Sequence, residues 1–148
     1  MRTVSKETPI SEITLRKFEK PYVNEPRQLM RKFCISLGLL QPGDSRDIIV
    51  DLMLLFNAAK KQKVILTPDV IYKNMANHSV DKIGMAPSNI RRHLKRLKDM
   101  KFIEKYGIGY RTCEWMSFEE MVDRHIHEFL IKPALERIKE YASKIEEF

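Results

Sequence analysis

Gly107-Ile108-Gly109 separates two short runs, Phe102 to Tyr106 and Tyr110 to Trp115, whose residues suit extended backbone. Glycines at a tight reversal supply positive φ at no steric cost, so this pattern predicts a β-hairpin. A two-stranded hairpin is marginally stable in water by itself. It therefore has to lie against something, and the alternation of Tyr106, Tyr110 and Trp115 supplies a face for packing on the rest of the chain. Nearly all of that remainder has helical periodicity, so the predicted fold class is mainly α with a small β-hairpin.

Upstream, Thr8 or Ser11 is placed to cap a short helix carrying Ile13, Leu15 and Phe18 and closed by Pro21. Asn24 is the expected N-cap of a firmer helix, with Pro26 in its first turn, Leu29, Met30, Phe33 and Leu37 on one face, and Gly38 at its end. Asp44 or Ser45 would cap a third helix reaching about Lys61, in which Ile48, Leu52, Leu55, Phe56 and Ala59 recur at the spacing of a buried stripe. Val64-Ile65-Leu66 predicts a short strand, and Thr67-Pro68 opens a helix to about Ala76. After a break over Asn77 to Gly84, Pro87 to Asp99 is again helical. The order is helix, strand, helix, helix, hairpin.

From Ser117 the chain returns to helix through a capping box, Ser117 with Glu120. Pro133 is expected to kink or break it. Ile131, Leu135, Ile138, Ala142 and Ile145 follow alternating four-and-three spacing, an apolar seam about two heptads long on an otherwise charged helix. These five residues are the expected homodimer interface.

The 148 residues carry a formal charge of +7, unevenly spread. Met1 to Val80 hold 13 bases and 8 acids, Asp81 to Arg111 hold 9 and 3, and Thr112 to Phe148 hold 5 and 9. The middle block is the one suited to a polyanion, because neutralising phosphates releases their condensed counterions. Within it, Ile90 taken as inward and a turn of about 100° per residue leave Leu94 and Leu97 inward. Ser88, Arg92 and Lys95 then point outward, flanked by Arg91 and Arg96. Arginine pairs with guanine edges and asparagine, here Asn89, with adenine; serine suits bases or phosphate, and lysine more often supplies charge to the backbone. A solvated basic helix is the plain alternative.

Gly84-Met85-Ala86-Pro87-Ser88-Asn89-Ile90-Arg91-Arg92-His93-Leu94-Lys95-Arg96-Leu97 resembles the turn and recognition helix of winged helix-turn-helix transcriptional regulators. Lys98 to Lys105 is similar to that family's link into the first wing strand, and the resemblance spans roughly Ser45 to Trp115. It departs in the interval from Thr67 to Gly84, about twice that of many members, and in a short wing whose return strand has one arginine, Arg111. The resemblance implies binding of double-stranded DNA through Ser88, Asn89, Arg91, Arg92, Lys95 and Arg96, with Lys105 and Arg111 contributing from the wing. It implies a winged helix-turn-helix domain over 45–116 and leaves outside it an N-terminal helical extension over 1–44 and, from the apolar seam, a C-terminal dimerisation arm over 117–148.

Other chemistries find little support. His125 and His127 lie two apart, so on a helix they diverge by roughly 200° and do not chelate one ion from one face. No metal site and no cofactor is expected. There is no GxxxxGK[ST], GxSxG or HExxH, and Glu119, Glu120 and Asp123 suit an acidic first helical turn, so no enzyme is expected. Cys34 and Cys113 are read as free thiols, and with neither an apolar span nor a signal peptide the expected location is cytoplasmic, away from membranes. The expected function is sequence-specific DNA binding by a homodimeric transcription regulator. Its rivals are a replication or partition accessory factor, a protein assembly module on the same fold, and, more weakly, an RNA binder.

Overall fold

The computed structural model describes residues 12–22, 24–41, 43, 47–78 and 87–148. Residues 12–22 are not helical. The helix expected there has too few residues to offset its nucleation cost without a packed face, and Leu15 is 93% exposed. Its expected caps, Thr8 and Ser11, lie outside the described residues.

Helix α1 (Pro26–Ser36) is capped by Glu25 rather than Asn24: the Glu25 carboxylate accepts from the backbone N–H groups of Arg27 at 3.0 Å and Gln28 at 2.8 Å. It ends where Gly38 takes φ +75° and the Leu39 N–H returns to the Cys34 carbonyl at 2.9 Å. Helix α2 (Ile48–Gln62) begins after the expected caps Asp44 and Ser45, which are outside the described residues. Ile48, Ile49, Val50, Leu52, Met53, Phe56 and Ala59 are all buried, a wider band than one stripe, because α1, α3 and the hairpin pack around it. Arg27 ties α1 to α2 through Asp47 at 2.9 Å and through Asp51.

Helix α3 (Pro68–His78) starts as expected, with Thr67 Oγ1 accepting from the Val70 N–H at 3.3 Å, and runs two residues beyond Ala76. Residues 79–86, including Gly84, which the resemblance assigns to the turn, lie outside the described ones. Helix α4 (Pro87–Asp99) has the predicted bounds and buries the predicted Ile90, Leu94 and Leu97.

Strands β1 (Ile103–Tyr106) and β2 (Gly109–Thr112) pair antiparallel, with Ile103 opposite Thr112 and Tyr106 opposite Gly109. The return strand stops at Thr112, short of the expected Trp115. Cys113–Trp115 form a 3-10 turn in which Glu114 and Trp115 have φ of 52° and 57°. Of the expected strand Val64-Ile65-Leu66, only Leu66 pairs, exchanging hydrogen bonds with Tyr110 at 2.9 and 2.8 Å. The two glycines of the hairpin have different jobs. Gly107 takes φ +59°, as the turn requires, whereas at Gly109, which has no positive φ, a Cβ would lie 2.4 Å from the Leu66 carbonyl oxygen. Gly109 is what lets the third strand touch the hairpin. Gly109→Ala is therefore expected to cost about 1–3 kcal/mol by overpacking against backbone, seen as a lower denaturant midpoint. Gly107→Ala, with nothing within 4 Å of its Cβ, should cost only the positive-φ penalty of about 1–2 kcal/mol and leave the Leu66 pairing intact.

The C-terminal region is one joined helix: α5 (Phe118–Met121), a π-helical segment (Val122–Ile131) and α6 (Lys132–Ile145). Ser117 Oγ accepts from the Glu120 N–H at 3.2 Å, as the capping box predicts. Pro133 does not break the helix. The π-helical stretch runs up to the turn before it, with the Lys132 N–H bonding the His127 carbonyl five residues back. The wider register moves carbonyls away from where a proline ring would clash in an α-helix.

One hydrophobic cluster runs from Met30 in α1 to Ile126 in the π segment. Phe33, Phe102 and Phe118 meet at centroid distances of 5.6 to 6.2 Å, and Lys60 Nζ sits 4.1 Å over the Phe118 ring. Beyond Ile126 the burial stops, and α6 has no buried residue. The whole is a mainly α fold with N-terminal helices, a two-stranded wing and a C-terminal joined helix.

Candidate nucleic-acid interface

Burying Ile90, Leu94 and Leu97 against the core fixes the rotation of α4 and with it the opposite face. Ser88, Arg91, Arg92, Lys95 and Arg96 are exposed on the helix and Asn89 is half-buried. Asn89 Oδ1 accepts from the Arg92 guanidinium one turn on, which aligns the two side chains at the N-terminal end of the face. Arg91 has no ion-pair partner among the described residues. Lys95 reaches Asp99 at 3.3 Å, an exposed i,i+4 pair that competes weakly with any other anion.

Two of the candidate cations are engaged within the protein. Arg96 donates to the Leu39 carbonyl at 3.1 Å and to the Gly38 carbonyl, so its guanidinium closes the end of α1 onto α4. These carbonyls lie at a helix C-terminus, where a cation is favoured. On the wing, Arg111 Nε donates to Glu104 Oε2 at 2.6 Å, and the guanidinium lies 3.9 Å over Tyr106 and 5.3 Å from Trp115. Only 16% of its side chain is exposed. Lys105, one residue along β1, is exposed, with Nζ 5.8 Å over Tyr110. Ile108 at the wing tip is exposed and apolar.

His93 lies between the inward stripe and the outward face. Burial pushes its pKa down, and the Arg92 and Arg96 charges push it further the same way, so the imidazole is held neutral among the arginines.

No family model, no curated protein and no solved structure matches this chain. The architecture itself, a mainly helical domain with a small antiparallel hairpin following α4, is compatible with a winged-helix arrangement in general.

The five seam residues lie exposed along one projecting helix: Leu135 is 51% exposed, Ile138 62% and Ile145 67%, with Ile131 and Ala142 on the same face. Tyr141, Phe129 and Phe148 are exposed as well, off the four-and-three spacing that defines the seam. Charged side chains of the region pair along it: Glu128 with Lys132 at 3.7 Å, Arg137 with Glu140 at 2.6 Å and Lys144 with Glu147 at 3.6 Å. No helix among the described residues is long and apolar enough to cross a membrane.

Proposed function

We propose that the protein is a sequence-specific DNA-binding regulator of transcription that works as a homodimer and catalyses no reaction. The observation that carries this reading is the face of α4: an exposed row of Ser88, Arg91, Arg92 and Lys95, with Asn89 aligned to Arg92, rigidly backed by a fully buried apolar stripe. A helix so anchored suits a major groove, where arginine and asparagine read base edges, and the exposed Lys105 on the hairpin after α4 adds a cation for the phosphate backbone. A single recognition helix reads few base pairs, and the unburied apolar stripe on α6 supplies the means of pairing two.

Selection of bound sites from random duplex DNA, followed by titration at several salt concentrations, tests the reading. A two-fold symmetric preferred site is expected, with affinity falling log-linearly with salt. Binding with no site preference would favour an architectural or accessory role. No binding to duplex at low salt would transfer the α4 face to a protein partner.

A further inference from the structure

α6 is exposed on every side, and nothing among the described residues covers its apolar face. The heptad register of that face says how a second copy fits. Ile131, Ile138 and Ile145 fall at d, and Leu135 and Ala142 at a. The flanking positions differ in kind: Tyr141 falls at g, whereas Lys132, Lys139 and Glu146 fall at e. Glu146 still belongs to the helical run, its N–H bonding the Ala142 carbonyl.

Two such helices pair in one of two directions, and each brings different residues together. In a parallel pair every a or d residue meets its own copy, so Ala142 would face the partner's Ala142 and leave a gap inside a short seam. Its flanks would set Tyr141 beside the partner's Glu146 and Ala134 beside the partner's Lys139, and no opposite charges would meet. An antiparallel pair sets a against d. Leu135 then meets the partner's Ile145, and Ala142 lies under the partner's Ile138, so no layer is small on both sides. In this direction e meets e and g meets g. Lys132 comes opposite the partner's Glu146, twice by symmetry, and Tyr141 meets its own copy across the two-fold axis. Within its own chain Lys132 reaches Glu128 at 3.7 Å, and Glu146 has no ion-pair partner among the described residues. The one like-charged contact, Lys139 with the partner's Lys139, sits at the rim, where long side chains extend into water. A slip of one heptad would set Lys132 against the partner's Lys139 twice and Ile145 against the partner's Glu128, so charge selects the register as well.

We propose that the homodimer is an antiparallel pair of α6 helices, with Leu135 packed on the partner's Ile145 and Lys132 paired with the partner's Glu146. This rests on the homodimer reading and adds its geometry: the two α4 faces lie at opposite ends of the paired arms instead of together at one end.

Leu135→Cys and Ile145→Cys chains, oxidised separately and after mixing, test the direction. The native thiols stay out of the reaction, since Cys34 and Cys113 are buried and burial raises both pKa values. A disulfide-linked dimer should form only in the mixture, because in either variant alone the two cysteines lie about 15 Å apart along the helix axis. Linkage of Leu135→Cys alone, or no linkage in the mixture, overturns the proposal while the wild type still sediments as a dimer. A wild type that sediments as a monomer overturns the homodimer reading together with it. Charge exchange tests the register. Lys132→Glu and Glu146→Lys, both at exposed positions and each acting at two symmetric contacts, should raise the dimer dissociation constant roughly tenfold. The double variant should return it to within about twofold of the wild type. Additive losses in the double variant, or no loss in either single one, overturn the pairing.

Discussion

If the proposed homodimer forms through the α6 seam, the wild-type chain is expected to sediment as a dimer and the variant with Leu135 and Ile138 replaced by lysine as a folded monomer. Both side chains are half or more exposed on α6, which has no buried residue, so the variant gives up almost no packing within its own chain. In a dimer the same side chains would be buried in both copies, at about 1.5–3 kcal/mol each, and four lysines would be forced into one seam. Each 1.4 kcal/mol is about tenfold in the dissociation constant, so the loss takes a micromolar dimer out of any practical concentration range. Helix content should be kept, because lysine is a good helix former. A variant that remains dimeric would move the interface elsewhere. A variant that unfolds would mean that the arm returns to its own core.

The same helix illustrates which parts of this molecule its sequence makes legible. Periodicity identifies buried faces, and α4 has the bounds and the inward residues that its period implies. Local capping chemistry is legible at Thr67 and Ser117. Asn24 misleads because Glu25, one residue on, has a carboxylate long enough to reach two N–H groups while Pro26 takes the first helical position. The one residue of the third strand that pairs, Leu66, does so over Gly109, a tertiary contact with no local signature.

At the candidate interface, the exposed face of α4 follows from its period, whereas the engagement of Arg96 with the Gly38 and Leu39 carbonyls joins residues nearly sixty apart and leaves no trace in either segment. Arg111 is different. Counting outward from the two-residue Gly107-Ile108 loop puts Glu104 directly opposite it, so hairpin register alone is enough to find the pair. Pro133 shows the limit of a residue rule. Its effect depends on the register of the preceding turns, here π rather than α, and nothing in the residues around Pro133 announces that register.

These internal engagements decide which substitutions report on DNA. Arg92→Ala and Asn89→Ala are each expected to cost about 1–3 kcal/mol on the selected site and to relax base preference there. Since Asn89 aligns Arg92, the two should be non-additive, the double variant losing less than the separate losses together. Arg91→Ala, free of any internal ion pair among the described residues, should behave similarly but additively. Lys105→Ala and Lys95→Ala should weaken selected and scrambled duplexes alike and lower the salt slope by about one unit for each phosphate left without its cation. Arg111→Ala and Arg96→Ala should instead lower thermal stability, because one removes the clamp over Tyr106 and Glu104 and the other the tie to the end of α1. Their effect on DNA would then follow folding rather than phosphate binding. Fluorescence anisotropy of the variants on both duplexes at several salt concentrations, with melting curves alongside, separates the classes. Arg92→Ala and Asn89→Ala proteins that are folded and bind the selected site with unchanged affinity and preference would remove α4 from DNA recognition and leave its basic face to a protein partner.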